Sequence, residues 1–357
     1  MQGETGESAP AGRRVAVVGA GISGLAAAGS LLAAGFEVTV FERGRGPGGR
    51  AGRRRVPGFE FDHGAQYFTV RSRALTDQTA AWVEAGVAAQ WSPRMATAGD
   101  GALRPKSSRT TRYVGVPGMS ALTRSLTEGL DLRTQTRVLS ATLRRGAGGA
   151  PQWMLELSGG DDDAGDDETG PARSAGPFDA LLLACTPQQA LPLLDAAPEF
   201  AARAGEVMFD PVWAVLLGFD HPPEVAADAV FIEHPALSWA ARNDTKPGRA
   251  GGPAWVLHAT GSWSRGREDE APESVLAELL PAFEEAVGLP LPEPVYAAAH
   301  RWRYARPRSA LAENALWDAD LNVGMCGDWC SGARIEGAFE SGLAAARRLL
   351  DPGAGLQ

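Results

Sequence analysis

Val15 to Val18 is a short unbroken apolar run, the pattern of a strand buried on both faces of a parallel sheet. A glycine-rich turn follows, and Ile22 to Ala34 is then built almost entirely of Ala, Leu and other small residues. That composition predicts a helix packed closely on the sheet, ended by Gly35 in a left-handed conformation. Phe36, Val38 and Val40 next alternate with Glu37 and Thr39 up to Glu42, a second strand. Strand, turn, helix and strand within about 30 residues make the start of a βαβ unit. Near the other end, Leu321 to Asp328 reads as a strand ending in Gly327-Asp328. Arg334 to Leu350 reads as a helix with the stripe Ile335, Ala338, Phe339, Gly342, Leu343, Ala346 and Leu349, stopped by Pro352-Gly353.

Thr134 to Val138 and Phe178 to Ala184 read as strands returning to the first sheet. From Val207 to His300 the chain is tryptophan-rich and alternating, as in Val212 to Phe219 and Ala254 to Ala259, which predicts a mainly antiparallel sheet with a helix at Pro272 to Val287. The expected architecture combines α/β and α+β parts. A Rossmann-like nucleotide domain is formed by 13–75, 115–205 and 305–357, and a second domain of 76–114 and 206–304 is inserted into it. Residues 1–12 read as a disordered tail, and 159–176 as an acidic, disordered hairpin loop.

Composition agrees with this and narrows it. A chain of 357 residues should hold roughly two domains. Its 44 glycines and 25 prolines exceed common usage but stay below the ~25–30% of low-complexity chains, so many glycines must serve specific turns. Much of the formal charge of −9 comes from Asp161, Asp162, Asp163, Asp166, Asp167 and Glu168 in one segment. The remainder is nearly balanced, which argues against nucleic acid as a partner. Three cysteines cannot build a disulfide framework, so a reducing cytoplasm is the expected location. Cys326 and Cys330 lack a second pair at ligand spacing, so no metal site is expected. No apolar run is long enough to span a membrane.

The turn Gly19-Ala-Gly21-Ile-Ser-Gly24 carries chemistry in this context. Gly19 permits the tight turn, Gly21 lets backbone approach a pyrophosphate, and Gly24 lets helix and strand pack. The helix N-terminus offers unpaired N–H groups to the phosphates. Glu42, at the end of the second strand, is placed to accept both hydroxyls of an adenosine ribose and would repel a 2′-phosphate. Instead of a further crossover helix comes Arg43-Gly-Arg45-Gly-Pro-Gly48-Gly49-Arg50, a glycine and arginine loop suited to a second wrap around a pyrophosphate. This points to FAD rather than NAD. Asp328 would bond a ribityl hydroxyl, and N–H groups near Glu336, Gly337 and Ala338 would face the N1–C2=O edge of a flavin.

With those motifs on the page, the chain resembles the FAD-dependent amine oxidase superfamily and its p-hydroxybenzoate hydroxylase-like two-domain fold. More narrowly, it resembles the bacterial renalase-like flavoproteins. The narrower likeness rests on Asp62-His-Gly-Ala-Gln-Tyr-Phe-Thr69, Pro117-Gly-Met-Ser120, Asp210-Pro-Val-Trp-Ala-Val215, Trp239-Ala-Ala-Arg-Asn243 with Lys246-Pro-Gly-Arg249, Trp255 to Thr260, His300-Arg-Trp-Arg-Tyr-Ala-Arg-Pro307 and Cys326-Gly-Asp-Trp-Cys330. The resemblance implies a non-covalent FAD contacted by Gly19, Gly21, Ile22, Ser23, Gly24, Glu42, Arg43, Gly49 and Arg50. Its further contacts would be Gln66, Val138, Thr186, Gly327, Asp328, Glu336, Gly337 and Ala338. It also implies oxidation of the isomeric 2- and 6-dihydro forms of NAD(P), with oxygen reoxidising the flavin to give hydrogen peroxide.

A dihydropyridine gives hydride directly to flavin N5, so no catalytic acid or base is expected. Substrate-facing candidates are Gln66, Tyr67, Trp239, Arg242, His258, Trp302 and Tyr304. Each is equally at home in a core, and for the tryptophans packing is at least as good a reading. The rival is an amine oxidase or desaturase, which commonly holds a lysine near flavin N5. Lys106 and Lys246 are the two lysines of the chain, and Lys246 lies in a Lys-Pro-Gly turn, which weakens that rival. A flavin-binding protein without turnover is the alternative from another class.

Overall fold

The computed structural model describes residues 12–159, 170–311 and 313–351. Its first sheet has six strands in the order Leu316–Asp318, Val323–Met325, Ala180–Leu183, Arg14–Val18, Glu37–Phe41 and Asp131–Arg133. The last five run parallel, and Leu316–Asp318 runs antiparallel to its neighbour. Both faces are covered, which is why consecutive positions of these strands are apolar. Ala16, Phe41, Leu181 and Leu183 pack under an antiparallel meander of Val138–Arg145, Pro151–Gly159 and Gly170–Phe178. Val15, Val17, Val38, Val40 and Leu182 pack against the helices Ile22–Ala33 and Ile335–Leu350. Fully buried Leu25 and Leu31 on the first helix contribute about 2 kcal/mol each. The two helices touch closely, since a Cβ on Gly342 would lie 2.2 Å from the Ser23 carbonyl oxygen.

Two local expectations need correction. The strand expected over Thr134–Val138 is Asp131–Arg133 instead; Gln135 and Thr136 turn back to donate to the carbonyls of Gly44 and Glu42 at 2.9 Å each. Hydrogen bonds to the loop after Glu42 outweighed the β-propensity of Thr and Val. In the acidic segment, 170–176 belongs to the strand Gly170–Phe178, with Gly159 paired to Gly170 as in a hairpin. The expected disorder of 160–169, and of the tail through residue 11, lies outside the described residues.

The second sheet has seven strands in the order Tyr296–Pro307, Phe209–Gly218, Ala254–Ala259, Leu237–Arg242, Ala229–Ile232, Met95–Gly99 and Ala102–Pro105. Its pairs are antiparallel apart from Ala229–Ile232 with Met95–Gly99. The helix Pro272–Val287 covers one face, packing Val275, Leu279 and Phe283 on Trp213, Val215, Leu217, Trp255 and Leu257. Register sets what the other face carries. His300 and His258 both lie opposite Ala214, and Trp239 lies opposite His258, so the four form one row across four strands. Because side chains alternate along a strand, that row points away from the helix. The helix Arg73–Glu84 crosses the expected boundary at 75/76, and the strand Tyr296–Pro307 crosses the one at 304/305.

Candidate functional site

The first strand delivers the chain into a turn that only glycine fits. Gly19 has φ +110°, and a Cβ there would lie 2.9 Å from the Ala184 carbonyl oxygen. A Cβ on Gly24 would lie 2.1 Å from the Gly19 carbonyl oxygen, so helix and turn are in contact, whereas Gly21 faces open space. Gly21 caps the helix without any side chain, leaving its first N–H groups available to an anion. Glu42 accepts from the Ala20 N–H at 2.9 Å through one oxygen and from the Gly44 N–H at 2.7 Å through the other. Each oxygen keeps a lone pair for a ribose hydroxyl. Arg43 reaches the Gln189 amide oxygen at 2.9 Å, beside the buried Thr186. Val138 opens the meander and is buried in the core beneath it. Ile22 and Ser23 are also buried, as the start of a helix lying under the C-terminal helix requires.

A junction of three segments lies beyond the turn. The Gly48 N–H donates to the Ala20 carbonyl at 3.0 Å, and Gly49 approaches Gly21. Arg50 forks onto Asp328 at 2.9 and 2.7 Å and donates to the Ala305 carbonyl at 3.1 Å. Arg50 and Asp328, expected to serve pyrophosphate and ribityl groups separately, are thus a bidentate pair. At the C-terminal helix, Ile335, Glu336 and Gly337 form the first turn, where N–H groups have no intrahelical partner, and Ala338 donates back to Arg334 at 3.0 Å. The Glu336 carboxylate turns elsewhere, accepting from the N–H groups of Arg71 at 2.6 Å and Ser72 at 2.8 Å. Gly337 makes room for the Gly332 carbonyl, 2.0 Å from where its Cβ would stand. Gly327 donates to Ser341 Oγ at 2.9 Å.

Gly64 links this junction to the substrate sheet. Its Cβ would sit 2.1 Å from the Arg50 carbonyl oxygen and 3.2 Å from the Trp302 ring. The neighbouring His63 carbonyl receives Trp302 Nε1 at 3.0 Å and His258 Nε2 at 3.1 Å. A carbonyl only accepts, so His258 carries its proton on Nε2. The rings of His63, His300 and Trp302 lie 4.7 to 5.0 Å apart. Burial above all pushes His63 down to about 3, helped by His300 and Arg54, and pushes His258 down to about 4. His300 is lowered too, by burial and then by Arg54. Three of the chain's five histidines are therefore neutral imidazoles here.

Beside them stands an aromatic wall. Tyr67 lies 5.6 Å from Trp239 and 6.2 Å from Trp91, ring centre to ring centre. Behind it, Lys246 Nζ donates to Gln66 Oε1 at 3.0 Å, Asn243 Oδ1 at 3.0 Å and Asp62 Oδ2 at 3.2 Å, and it lies 5.5 Å from the Trp91 ring centre. Arg249 forks onto the same Asp62 oxygen at 3.2 and 2.5 Å. All three charged side chains are buried, at 0% exposure for Lys246 and 1% for Asp62 and Arg249. Burial lowers Lys246 to about 8 against the pull of Asp62. Burial opposes ionisation of Asp62, but Lys246 and Arg249 hold it below the usual carboxylate range.

Of the substrate-facing candidates, Tyr67, Trp239, His258 and Trp302 share this region. Gln66 reaches it, but its amide is consumed, accepting from Lys246 and donating to the carbonyls of Asp62 and Gly64. Arg242 does not belong: it lies opposite Trp255 on the helix-covered face and pairs with Asp244 at 2.8 Å. Alternation along the strand turned it away. Tyr304 packs on Phe209 toward the nucleotide domain's core, 6.2 Å between rings. The sequence reading missed the roles of His63, His300 and Lys246. Lys246 is no exposed turn residue, and its acid is 184 positions away in sequence. A cleft of about 460 Å³ opens on Asp210, Arg306, Arg308 and the Gly332–Ala333 turn; none of the aromatic candidates lines it, so side-chain chemistry marks the site better than that hollow.

Comparison with known proteins agrees with the two-part construction. Residues 17–79 match the NAD(P)-binding Rossmann-like domain, and residues 98–350 match the family described as Flavin containing amine oxidoreductase. A zeta-carotene-forming phytoene desaturase from Myxococcus xanthus is 58% identical over 53 residues, 15% of this chain and 10% of that protein. A 4,4'-diapophytoene desaturase from Staphylococcus aureus is 47% identical over 51 residues, 14% of this chain and 10% of the relative. These matches thus span about a tenth of each relative's length. Over nearly the full chain, the fold is similar to an oxidoreductase from Methanosarcina mazei, with TM-score 0.67, 13% identity and coverage of 94% and 100%. It is also similar to putrescine oxidase bound to putrescine, with TM-score 0.65, 13% identity and coverage of 96% and 99%. Among the described residues no helix is long and apolar enough to cross a membrane. The open glycine turn, the strand-end Glu42 and the uncapped helix starts fit a flavin dinucleotide, and the chain belongs to the flavin containing amine oxidoreductase family, as an FAD-dependent oxidoreductase.

Proposed function

We propose that the protein oxidises isomeric dihydronicotinamides, the 2- and 6-dihydro forms of NAD(P), to NAD(P)+. The observation that carries this reading is the group of imidazoles and indoles next to Gly64. His63, His258 and His300 are held neutral, and Asp62, the carboxylate beside them, is occupied by two cations. Such a surface binds and orients a flat ring but offers no charged base. Oxidation of a dihydropyridine requires none, because the ring carbon releases hydride with its electron pair and the ring becomes a pyridinium. The uncapped helix starts, Glu42 and Arg43 would hold FAD, which would supply the acceptor for that hydride and the route of its two electrons to oxygen, giving hydrogen peroxide with the protons taken from solvent. Trp302 and His258, fixed by one carbonyl, set the position of the ring.

Amine oxidation is the second reading: such enzymes commonly carry a buried lysine, although the charge of Lys246 would admit an amine only in its neutral form. Lys246, set aside from sequence as a turn residue, is buried against Gln66 and Trp91. Anaerobic mixing separates the two readings. Borohydride-generated dihydro-NAD isomers should bleach the flavin at least tenfold faster than ordinary NADH or simple amines. Rapid bleaching by an amine, with no response to the isomers, overturns the proposal, and bleaching by neither would leave a flavin-binding protein without turnover.

A further inference from the structure

The polar groups around the aromatic wall do not balance. Asp62 is one carboxylate serving two buried cations, Lys246 and Arg249. A third cation, Arg112, is 8% exposed and lies 5.2 Å from the Tyr67 ring centre. It donates to Ser108 Oγ at 3.0 Å and the Thr110 carbonyl at 2.9 Å, both uncharged. The hydrogen-bonding excess has the same sign. Trp91 and Trp239, 3% and 8% exposed, each bury an indole N–H that has no acceptor. The imidazoles nearby are neutral and add no negative charge. Buried cations short of counter-charge and buried donors without acceptors are costly, and a ligand that brings an acceptor or a negative charge relieves that cost.

We infer that the wall of Tyr67, Trp91 and Trp239 is a subsite for a planar ring bearing an anionic or strongly accepting substituent, such as a carboxylate or carboxamide, and that Lys246 makes it reject ammonium-bearing rings. The inference rests on the dihydronicotinamide reading, whose ring carries a carboxamide, and it specifies the substrate class that the reading leaves open. An ammonium brings a further positive charge to rings that already carry Arg112 over Tyr67 and Lys246 over Trp91, so charge repulsion offsets what the ring faces would offer it. A carboxamide or carboxylate oxygen meets the two unpartnered indole N–H groups and the net positive charge of the cluster behind them.

Three probes of one ring size test this on the FAD-loaded protein: benzoate, benzamide and benzylamine, titrated by calorimetry and by the flavin absorption band. Benzoate and benzamide should bind, and benzylamine should bind at least tenfold more weakly than benzoate. Lys246→Met should weaken benzoate about tenfold while moving benzamide much less, and Lys246→Arg should restore the benzoate preference. Benzylamine binding as tightly as benzoate, or no binding by any probe, overturns the inference on the unaltered protein, so the result does not hang on a variant that misfolds. A benzoate-to-benzylamine ratio unchanged in Lys246→Met overturns the role of Lys246. Oxidation of the isomers with no charge preference among the probes would overturn the subsite alone. A charge preference with no response to the isomers would overturn the reaction alone.

Discussion

Gly19 and Gly24 work through backbone that a side chain would obstruct, whereas Asp62, Lys246 and Arg112 work through charges carried by elements far apart in the chain. The nucleotide half offers a dinucleotide N–H groups and one strand-end carboxylate, all within the βαβ start. The other half brings together side chains from the loop after Arg50, from separate strands and from the turn at Asn243. A backbone site is local, so it repeats across many enzymes and is conspicuous in sequence. A side-chain site is assembled by folding, and it is where one member of a family differs from another.

The largest effect that separates the halves is expected at Asp62. Asp62→Asn leaves Lys246 and Arg249 buried without a carboxylate and should cost about 3–5 kcal/mol in urea unfolding. Lys246→Met keeps the Asp62–Arg249 pair and should cost about 1 kcal/mol, since the Gln66 oxygen then loses one donor. Equal losses for the two variants would mean that the cluster is balanced as a structural triad, and the contrast with the nucleotide half would lose its charge argument.

A smaller effect tests the neutral imidazoles. Because His63 and His258 titrate in the folded protein at about 3 and about 4, below the unfolded value, the unfolded chain takes up protons first as the pH falls. Their contribution to stability is complete above about pH 6.5 and is lost progressively down to those folded values. Between pH 7 and pH 5, each histidine should account for about 2 kcal/mol of lost stability. His258→Asn should remove its share of that loss while the share of His63 remains. If the variant loses as much stability between pH 7 and 5 as the unaltered protein, His258 is not buried neutral.

How much could be read in advance follows the same division. Ile22–Ala33, Pro272–Val287 and Ile335–Leu350 are legible because small and apolar residues dominate them, with Gly35 closing the first and Pro352-Gly353 following the last in the sequence. Glu42 was visible because its place at a strand end follows from the motif. Arg242 was misplaced because one step along a strand reverses the face, and sequence alone does not say which face is covered by the helix Pro272–Val287. Lys246 does lie in the turn that Lys-Pro-Gly predicts, but its burial comes from meeting Asp62 and Gln66, about 180 positions earlier in the chain, which a local string does not show. Thr134 to Val138 reads as a strand by propensity, but Gln135 and Thr136 give their N–H groups to the carbonyls of Gly44 and Glu42.

The smallest effect is the most direct check on the backbone half, because two forces there have opposite signs. Gly24 lies inside the helix Ile22–Ala33, and alanine in an exposed helix interior is favoured over glycine by about 1 kcal/mol. Its Cβ, however, would stand 2.1 Å from the Gly19 carbonyl oxygen and 2.9 Å from Ala184 Cβ, and neither is the end of a flexible side chain. Overpacking of this kind costs about 1–3 kcal/mol, so Gly24→Ala should lower stability by about 1 kcal/mol net. The turn must move to relieve the contact, and with it the N–H groups at the helix start that would meet a pyrophosphate. Flavin content after purification should therefore fall, while Lys246→Met should retain its flavin. A Gly24→Ala protein that is more stable and fully loaded with FAD would show that helix propensity outweighs the packing of helix on turn, and that the glycine is dispensable to the cofactor.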